Sequence, residues 1–206
     1  MKSKIFQLVK ENKFKIIGSN TTIETAVFIC ICNIAGKDYF ILEKRASNIS
    51  QGGELSFPGG KVEAQDKNPI ETVIRETAEE LGIETNKIEV YGKYGIVLNL
   101  LGLIIHCFCG TININNLNEL SPNKDEVEKL IAIPIEFFMV TDPIVERIQL
   151  LNIPSENIKK MKIPEKYKTS REMVAREVYF YNYEEEIIWG ITGEIIFDFI
   201  ASLKKL

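Results

Sequence analysis

The chain has 206 residues, 45% hydrophobic and 26% charged, which fits one globular domain rather than a disordered or fibrous chain. Its net charge of −4 argues against general nucleic-acid binding, so a polyanionic ligand must find local positive charge. No secretory leader is read near Lys2, Lys4, Lys10 and Glu11, and the longest apolar stretch, Ile96 to Cys109, is broken by Asn99, Gly102 and His106 and is too short for a bilayer; a cytoplasmic protein with no membrane partner is expected.

In chain order, Ile5 to Val9 reads as a short amphipathic helix. Glu24 to Asn33 and Tyr39 to Glu43 read as strands around the turn Ala35-Gly36-Lys37-Asp38. Phe57-Pro58-Gly59-Gly60 reads as a strand end and a tight turn, where glycine lets a backbone carbonyl approach a metal or phosphate. A helix follows, with Asn68 as N-cap, Pro69 in the first turn and Gly82 as its stop. Ile70, Val73, Ile74, Thr77 and Leu81 form its packing stripe, and Ile83 folds back onto it. Ile88 to Val97 and Leu103 to Ile112 read as strands joined by Leu98-Asn99-Leu100-Leu101-Gly102. That tip reads as a ligand wall, a homodimer surface or a segment buried under residues 141–180. Asn113 to Asn118 is a polar loop, and Glu126 to Ile133 an acidic-to-apolar segment before Pro134. Ile135 to Val140 reads as a short helix, and alternation in Val145 to Leu151 favours a strand. Glu177 to Tyr183 and Glu186 to Trp189 read as a hairpin, and Gly193 to Leu203 as a closing amphipathic helix. Cys30/Cys32 and Cys107/Cys109 fit reduced core residues on alternating strands, since zinc modules space cysteines more widely. The lone His106 fits a packed or surface residue.

The chemistry gathers on the central helix. Glu76, Glu79 and Glu80 are three and four residues apart and share one face. Like charges so placed repel, and a hard divalent cation with oxygen ligands, Mg2+ or Mn2+, relieves the repulsion. Such ions commonly serve phosphate chemistry. Glu71, Arg75 and Glu79 are four apart, which lets Arg75 orient a neighbouring carboxylate. Lys61 and the Lys44-Arg45 pair are the nearby sources of positive charge.

These residues resemble the Nudix box, G-x5-E-x7-R-E-U-x-E-E-x-G-U with U apolar. Gly60 opens it, Asp66 stands at the first acid, and Arg75 to Ile83 close it. Aspartate replaces glutamate at that acid, eight residues instead of seven separate it from Arg75, and Thr77 replaces an apolar residue. The longer spacing is similar to the coenzyme A pyrophosphatase branch, as are Leu42 to Ala46, Gly53 to Gly60 and Ile188 to Gly193. Ser47 to Gln51 is uncharged where that branch carries basic residues. The resemblance spans roughly residues 23–200. It implies an α/β fold, the Nudix α/β/α sandwich with a mixed central sheet. The expected organisation is a single domain over 1–206, with an N-terminal arm at 1–22 and a C-terminal extension at 141–206.

The same resemblance implies metal-dependent hydrolysis of a pyrophosphate bond in a small-molecule nucleotide. Coenzyme A or an acyl-CoA would give 4′-phosphopantetheine and adenosine 3′,5′-bisphosphate. The alternatives are ADP-ribose, NADH or a dinucleoside polyphosphate, and a binding module without catalysis. Glu76, Glu80 and Glu79, with the Gly60 carbonyl, are the implied metal ligands. Glu76, Glu79 and Arg75 are implied in catalysis. Gly59, Gly60, Arg45 and Lys61 are implied at the substrate. A proton acceptor on a later loop points to Glu126, ahead of Glu119.

Overall fold

Alternation along the central strands sets the layers. The computed structural model describes residues 23–99, 102–172 and 176–206. The helix read at Ile5 to Val9 and the tip residues Leu100 and Leu101 lie outside them. Strand β1 (Ile23–Ile34) pairs antiparallel with β2 (Lys37–Arg45), and β3 (Leu55–Ser56) and β4 (Gly59–Lys61) follow. Helix α1 spans Pro69–Leu81. Strands β5 (Ile88–Asn99) and β6 (Leu103–Ile112) form the next hairpin, and β7 (Val127–Pro134) runs straight into helix α2 (Ile135–Val140). The path through the sheet is β3-β2-β1-β6-β5, with β4 added to β1 and β7 to β2. Only the β1–β6 pair is parallel among the pairings of this sheet, so the sheet is mixed, as expected.

Even-numbered residues of β1 (Ala26, Phe28, Cys30 and Cys32) pack with Val73 and Leu81 of α1 on one face. Odd-numbered Ile29, with Cys107 of β6, faces the other core. The chain continues with β8 (Ile144–Ile148), β9 (Leu151–Asn152), helix α3 (Glu156–Lys160), β10 (Arg171–Glu172), β11 (Arg176–Tyr183), β12 (Glu186–Ile188) and helix α4 (Gly190–Leu203), of which β11, β12 and α4 pack on this second face and β8 pairs with β11. Ile195, Ile196, Phe199 and Ile200 of α4 bury themselves against this face, with Phe199 5.6 Å from Phe40 between ring centres. Full burial of such a side chain stabilises by roughly 1.5–3 kcal/mol, so α4 anchors firmly. Helix on one face, sheet, helices on the other: this is the α/β/α sandwich.

The cysteines are all unpaired and divide between the two faces. Burial pushes the thiols of Cys32, Cys107 and Cys109 up to about 11, and that of Cys30 up as well, which leaves them protonated. His106 is bracketed on the sheet by Lys93, 2.9 Å from Nδ1, and Glu24, 3.6 Å from Nε2.

Several boundaries differ from the expectation. The first turn is only Ala35-Gly36, both at positive φ, because β2 starts at Lys37. Gly59 and Gly60 form a short strand with β1 instead of a free turn. Glu126 to Ile133 resolves into the edge strand β7. Helix α4 begins at Gly190, three residues early, with Trp189 as its N-cap. Ile70 is 40% exposed and leaves the stripe, while Thr72 is buried and bonds the Asp66 carboxylate. Leu98 is 67% exposed. Among the described residues, no helix is long and apolar enough to cross a membrane.

Candidate active site

The site is built where β1 and β2 part. They pair only over Ile31–Ile34 and Lys37–Phe40, close to their turn. Farther from it, β4 pairs with β1 at Thr25–Val27, and β3 pairs with β2 at Glu43–Lys44. The bend Phe57-Pro58 joins β3 to β4 across the gap, fixed by the Phe28 amide donating to the Pro58 carbonyl at 2.8 Å. Gly59 sits so close to β1 that a Cβ would lie 2.2 Å from the Ala26 oxygen, and its φ of 151° favours glycine. A Cβ on Gly60 would lie 2.4 Å from the Glu76 carboxylate. The glycines thus bring a bare backbone edge against the acids of α1.

Helix α1 is capped as its sequence predicts. The Asn68 side chain accepts from the amides of Ile70 and Glu71, Pro69 stands in the first turn, and Gly82 adopts φ 62°. Arg75 is the hub of its polar face. Its fork grips Asp66 through Nε at 3.2 Å and Nη2 at 3.0 Å, while Nη1 reaches Glu76 at 2.8 Å and Glu79 at 3.3 Å. Asp66 also accepts from the Glu63 amide and the Thr72 hydroxyl, and Arg75 with these donors holds its carboxyl well below the usual range. Glu71 is not gripped by Arg75; it caps the Lys67 amide at 2.9 Å and pairs with Lys67.

Glu76 and Glu80 point toward the glycine edge with different burial. Burial raises the carboxyl of Glu76, opposed by Arg75. Glu80 is only 5% exposed, accepts from the Gly59 amide at 2.9 Å, and is pushed up by burial and then by Glu43. Glu79 is the solvent-facing member of the trio.

Sequence reasoning missed Glu43. It sits on β2 within a strand of apolar neighbours and is 1% exposed. Ser56 donates to its Oε1 at 3.0 Å, and Arg45 approaches the same oxygen at 3.4 Å. Its Oε2 is buried without a hydrogen-bond partner, and its carboxyl lies against that of Glu80. Burial drives its pKa upward. Alternation on β2 offered a signal, since a charged residue at a core-facing position of a strand is rare unless paired.

The later loop is tied to the end of α1. The amides of Ser121 and Asn123 donate to the carbonyls of Leu81 and Glu80, at 3.0 and 3.3 Å. A turn from Asn123 to Glu126 follows, and the Glu126 carbonyl accepts from Ala46 at 2.8 Å. Glu126 is exposed and its charge is felt at both Glu76 and Glu43. Glu119 is occupied elsewhere: Lys87 and the amide and side chain of Asn115 hold it at 2.8–3.0 Å. These donors lower its pKa to about 2, which makes it a brace of the loop.

The basic residues divide similarly. Lys44 turns to Glu186 at 3.1 Å, and Lys129 reaches the same acid at 2.7 Å, so Lys44 ties β12 to the sheet. Arg45 donates to the Ser50 carbonyl at 3.1 Å and to Glu43. Lys61 is exposed at the end of β4, beside the glycine edge.

Among the described residues, no three His, Cys, Asp or Glu side chains meet as a ready-made metal cage. The local cause is visible, because Arg75 holds Glu76 and the Gly59 amide holds Glu80. The donor set nevertheless fits a hard divalent cation. It offers carboxylate oxygens, a bare backbone edge and a buried carboxylate oxygen lacking a donor. Two like charges about 4 Å apart near a protein surface repel by roughly 4 kcal/mol, which a cation between them reverses.

A glycine edge facing a carboxylate helix on an α/β/α sandwich suits a hard divalent ion and the phosphate chemistry such ions serve. The NUDIX domain model matches residues 22–136, more than half of the chain, and the chain belongs to the Nudix hydrolase family. Its members generally need divalent metal ions. An uncharacterised Nudix hydrolase of Photorhabdus laumondii is 27% identical over 192 residues, covering 93% of this chain and 90% of that one. A mitochondrial coenzyme A diphosphatase of Mus musculus is 31% identical over 118 residues, 56% of each chain. The crystal structure of a MutT/nudix family protein from Enterococcus faecalis aligns over 97% of this chain and 69% of its own, with a TM-score of 0.50 at 14% identity. That likeness supports the fold alone.

Proposed function

We propose that this Nudix pyrophosphohydrolase cleaves the pyrophosphate of coenzyme A or an acyl-CoA, giving 4′-phosphopantetheine and adenosine 3′,5′-bisphosphate. The observation that carries this reading is the box with aspartate at the first acid. In the fold Asp66 binds Arg75 through both fork nitrogens, a use for the longer spacing that resembles the coenzyme A branch. The matching stretch of the mouse coenzyme A diphosphatase supports it. We also propose that residues 1–206 act as one unit in the cytoplasm, which suits four unpaired thiols, three of them buried.

Glu76 and Glu80, with the Gly60 carbonyl and Glu79, would hold Mg2+ or Mn2+. When bound, such an ion neutralises phosphate charge and supplies a more acidic water. Arg75 keeps Glu76 in place, and the Gly59 amide does so for Glu80. Glu126, exposed and near Glu76, takes the proton from the attacking water. Lys61 supplies charge to the substrate phosphates.

A second reading, hydrolysis of ADP-ribose, NADH or a dinucleoside polyphosphate, is favoured by the loop after β2. Residues 47–51 carry no charge, and Arg45 is folded inward onto Ser50 and Glu43. A 3′-phosphate would find little positive charge there. Product identification over a panel of these substrates, with Mg2+ and with Mn2+, separates the readings. Cleavage of coenzyme A into the two named products, faster than that of ADP-ribose, supports the first. Turnover that persists in excess chelator would defeat both.

A further inference from the structure

We propose that Glu43 is a further ligand of the site's divalent ion, supplied by strand β2 from outside the Nudix box. The inference rests on the hydrolase reading above and adds a residue to it. Glu43 is 1% exposed, and its two oxygens have different surroundings. Oε1 is fixed by the Ser56 hydroxyl at 3.0 Å and by Arg45 at 3.4 Å. Oε2 is buried, and no group donates to it unless the carboxyl of Glu80, within hydrogen-bond reach of Glu43, carries a proton. The group against it is the carboxyl of Glu80, which is itself an acceptor when ionised. Buried polar atoms are nearly always satisfied, so an oriented carboxylate with one free oxygen calls for a cation or a proton.

The surroundings favour a cation. Ser56 and Arg45 both donate to Oε1, which stabilises the ionised form and aims Oε2 away from them. Glu80 places its Oε2 on the Gly59 amide and its carboxyl against that of Glu43, so one ion could bridge the two. Glu76 lies against the neighbouring Gly60, and Glu126 bears electrostatically on Glu43 as well. Glu43 of β2 lies against Glu80, and Glu80 and Glu76 of α1 border Gly59 and Gly60, so two elements bring carboxylates to one glycine edge. Such hard oxygen donors suit a divalent ion that keeps part of its water shell.

The test is Mn2+ binding without substrate, by electron paramagnetic resonance titration, together with melting temperature in chelator and in Mn2+. The variants are Glu43→Gln, which keeps shape, and Glu43→Met, which removes both oxygens. Glu119→Gln serves as a control on a brace held by Lys87 and Asn115. Glu43→Gln should weaken Mn2+ binding at least threefold and reduce the Mn2+-induced rise in melting temperature. In chelator it should melt no lower than wild type, because an amide can donate to Glu80. Glu43→Met should weaken binding at least as much, and Glu119→Gln should not change it. A folded Glu43→Gln whose affinity falls less than threefold overturns the proposal, whatever happens to Glu43→Met. If that occurs while wild type binds Mn2+ and hydrolyses its substrate, only the role of Glu43 fails. Wild type that binds no Mn2+ and cleaves nothing overturns the hydrolase reading along with it.

Discussion

Adding one methyl group at Gly60 should disable the site while sparing the fold. An ideal Cβ there lies 2.4 Å from both Cδ and Oε1 of Glu76, and ordinary contact begins near 3.4 Å. The carboxylate must therefore retreat by 3.4 minus 2.4, about 1 Å. It can do so by rotating its own side chain, since no backbone atom is among the close contacts. Retreat breaks the 2.8 Å contact with Arg75 and misplaces the carboxylate proposed to hold the metal. Misplacement of about 1 Å can cost roughly 100-fold in rate, so Gly60→Ala should lower kcat by about two orders of magnitude. Its melting temperature should stay within a few degrees of wild type, as one kcal/mol shifts a chain of this size by about 2–4 °C. Gly59→Ala is the contrast. Its Cβ would meet the Ala26 oxygen at 2.2 Å and the Val27 Cα at 2.7 Å, at a φ of 151°. Backbone has to move there, and strain of about 1–3 kcal/mol should appear as a lower melting temperature. Steady-state kinetics and thermal melts of both variants make the comparison. Wild-type kcat in Gly60→Ala, or equal melting losses in the two, would refute the reasoning.

How far the sequence could be read depended on whether a contact was local. The caps and length of α1 were legible because Asn68, Pro69 and Gly82 act within one turn of the helix. The strand faces were legible through alternation, as in Cys30 and Cys32 against Cys107. The acids of α1 were legible as a group because helical spacing alone puts them on one face. What could not be read were partners distant in the chain. Helical spacing sets Arg75 beside Glu71 and Glu79, but its two-point grip is on Asp66, held there by a loop that carries no periodicity. Glu43 is 37 residues from Glu80, and they meet only because β1 and β2 separate to admit β3 and β4. Glu119 and Glu126 look alike in the sequence, two acids on one polar stretch. Lys87 and Asn115 claim the first, and the cap on α1 presents the second.

Arg75→Lys keeps a charge but loses the planar fork that spans Asp66, Glu76 and Glu79. Lower kcat and weaker Mn2+ binding are expected, with little change in substrate affinity measured by equilibrium binding; the reverse pattern would place Arg75 at the substrate. Glu119 has its folded pKa depressed to about 2 from 4.5, so its stabilisation is present above pH 4.5 and is lost as pH falls through about 2. Glu119→Gln should flatten that acid limb in denaturation measured against pH and leave turnover intact, and a large fall in kcat would restore it as a proton acceptor. Glu126→Gln should do the opposite. The turn from Asn123 to Glu126 hangs on the Glu80 carbonyl, and the Glu126 charge is felt at Glu76 and Glu43. An exposed carboxylate so placed can accept a proton without being consumed as a ligand. Loss of a general base typically lowers the rate by about 100- to 10,000-fold, so kcat should fall in that range with the melting temperature and Mn2+ affinity unchanged. Retained kcat with weakened Mn2+ binding would make Glu126 a ligand and return the proton to Glu76.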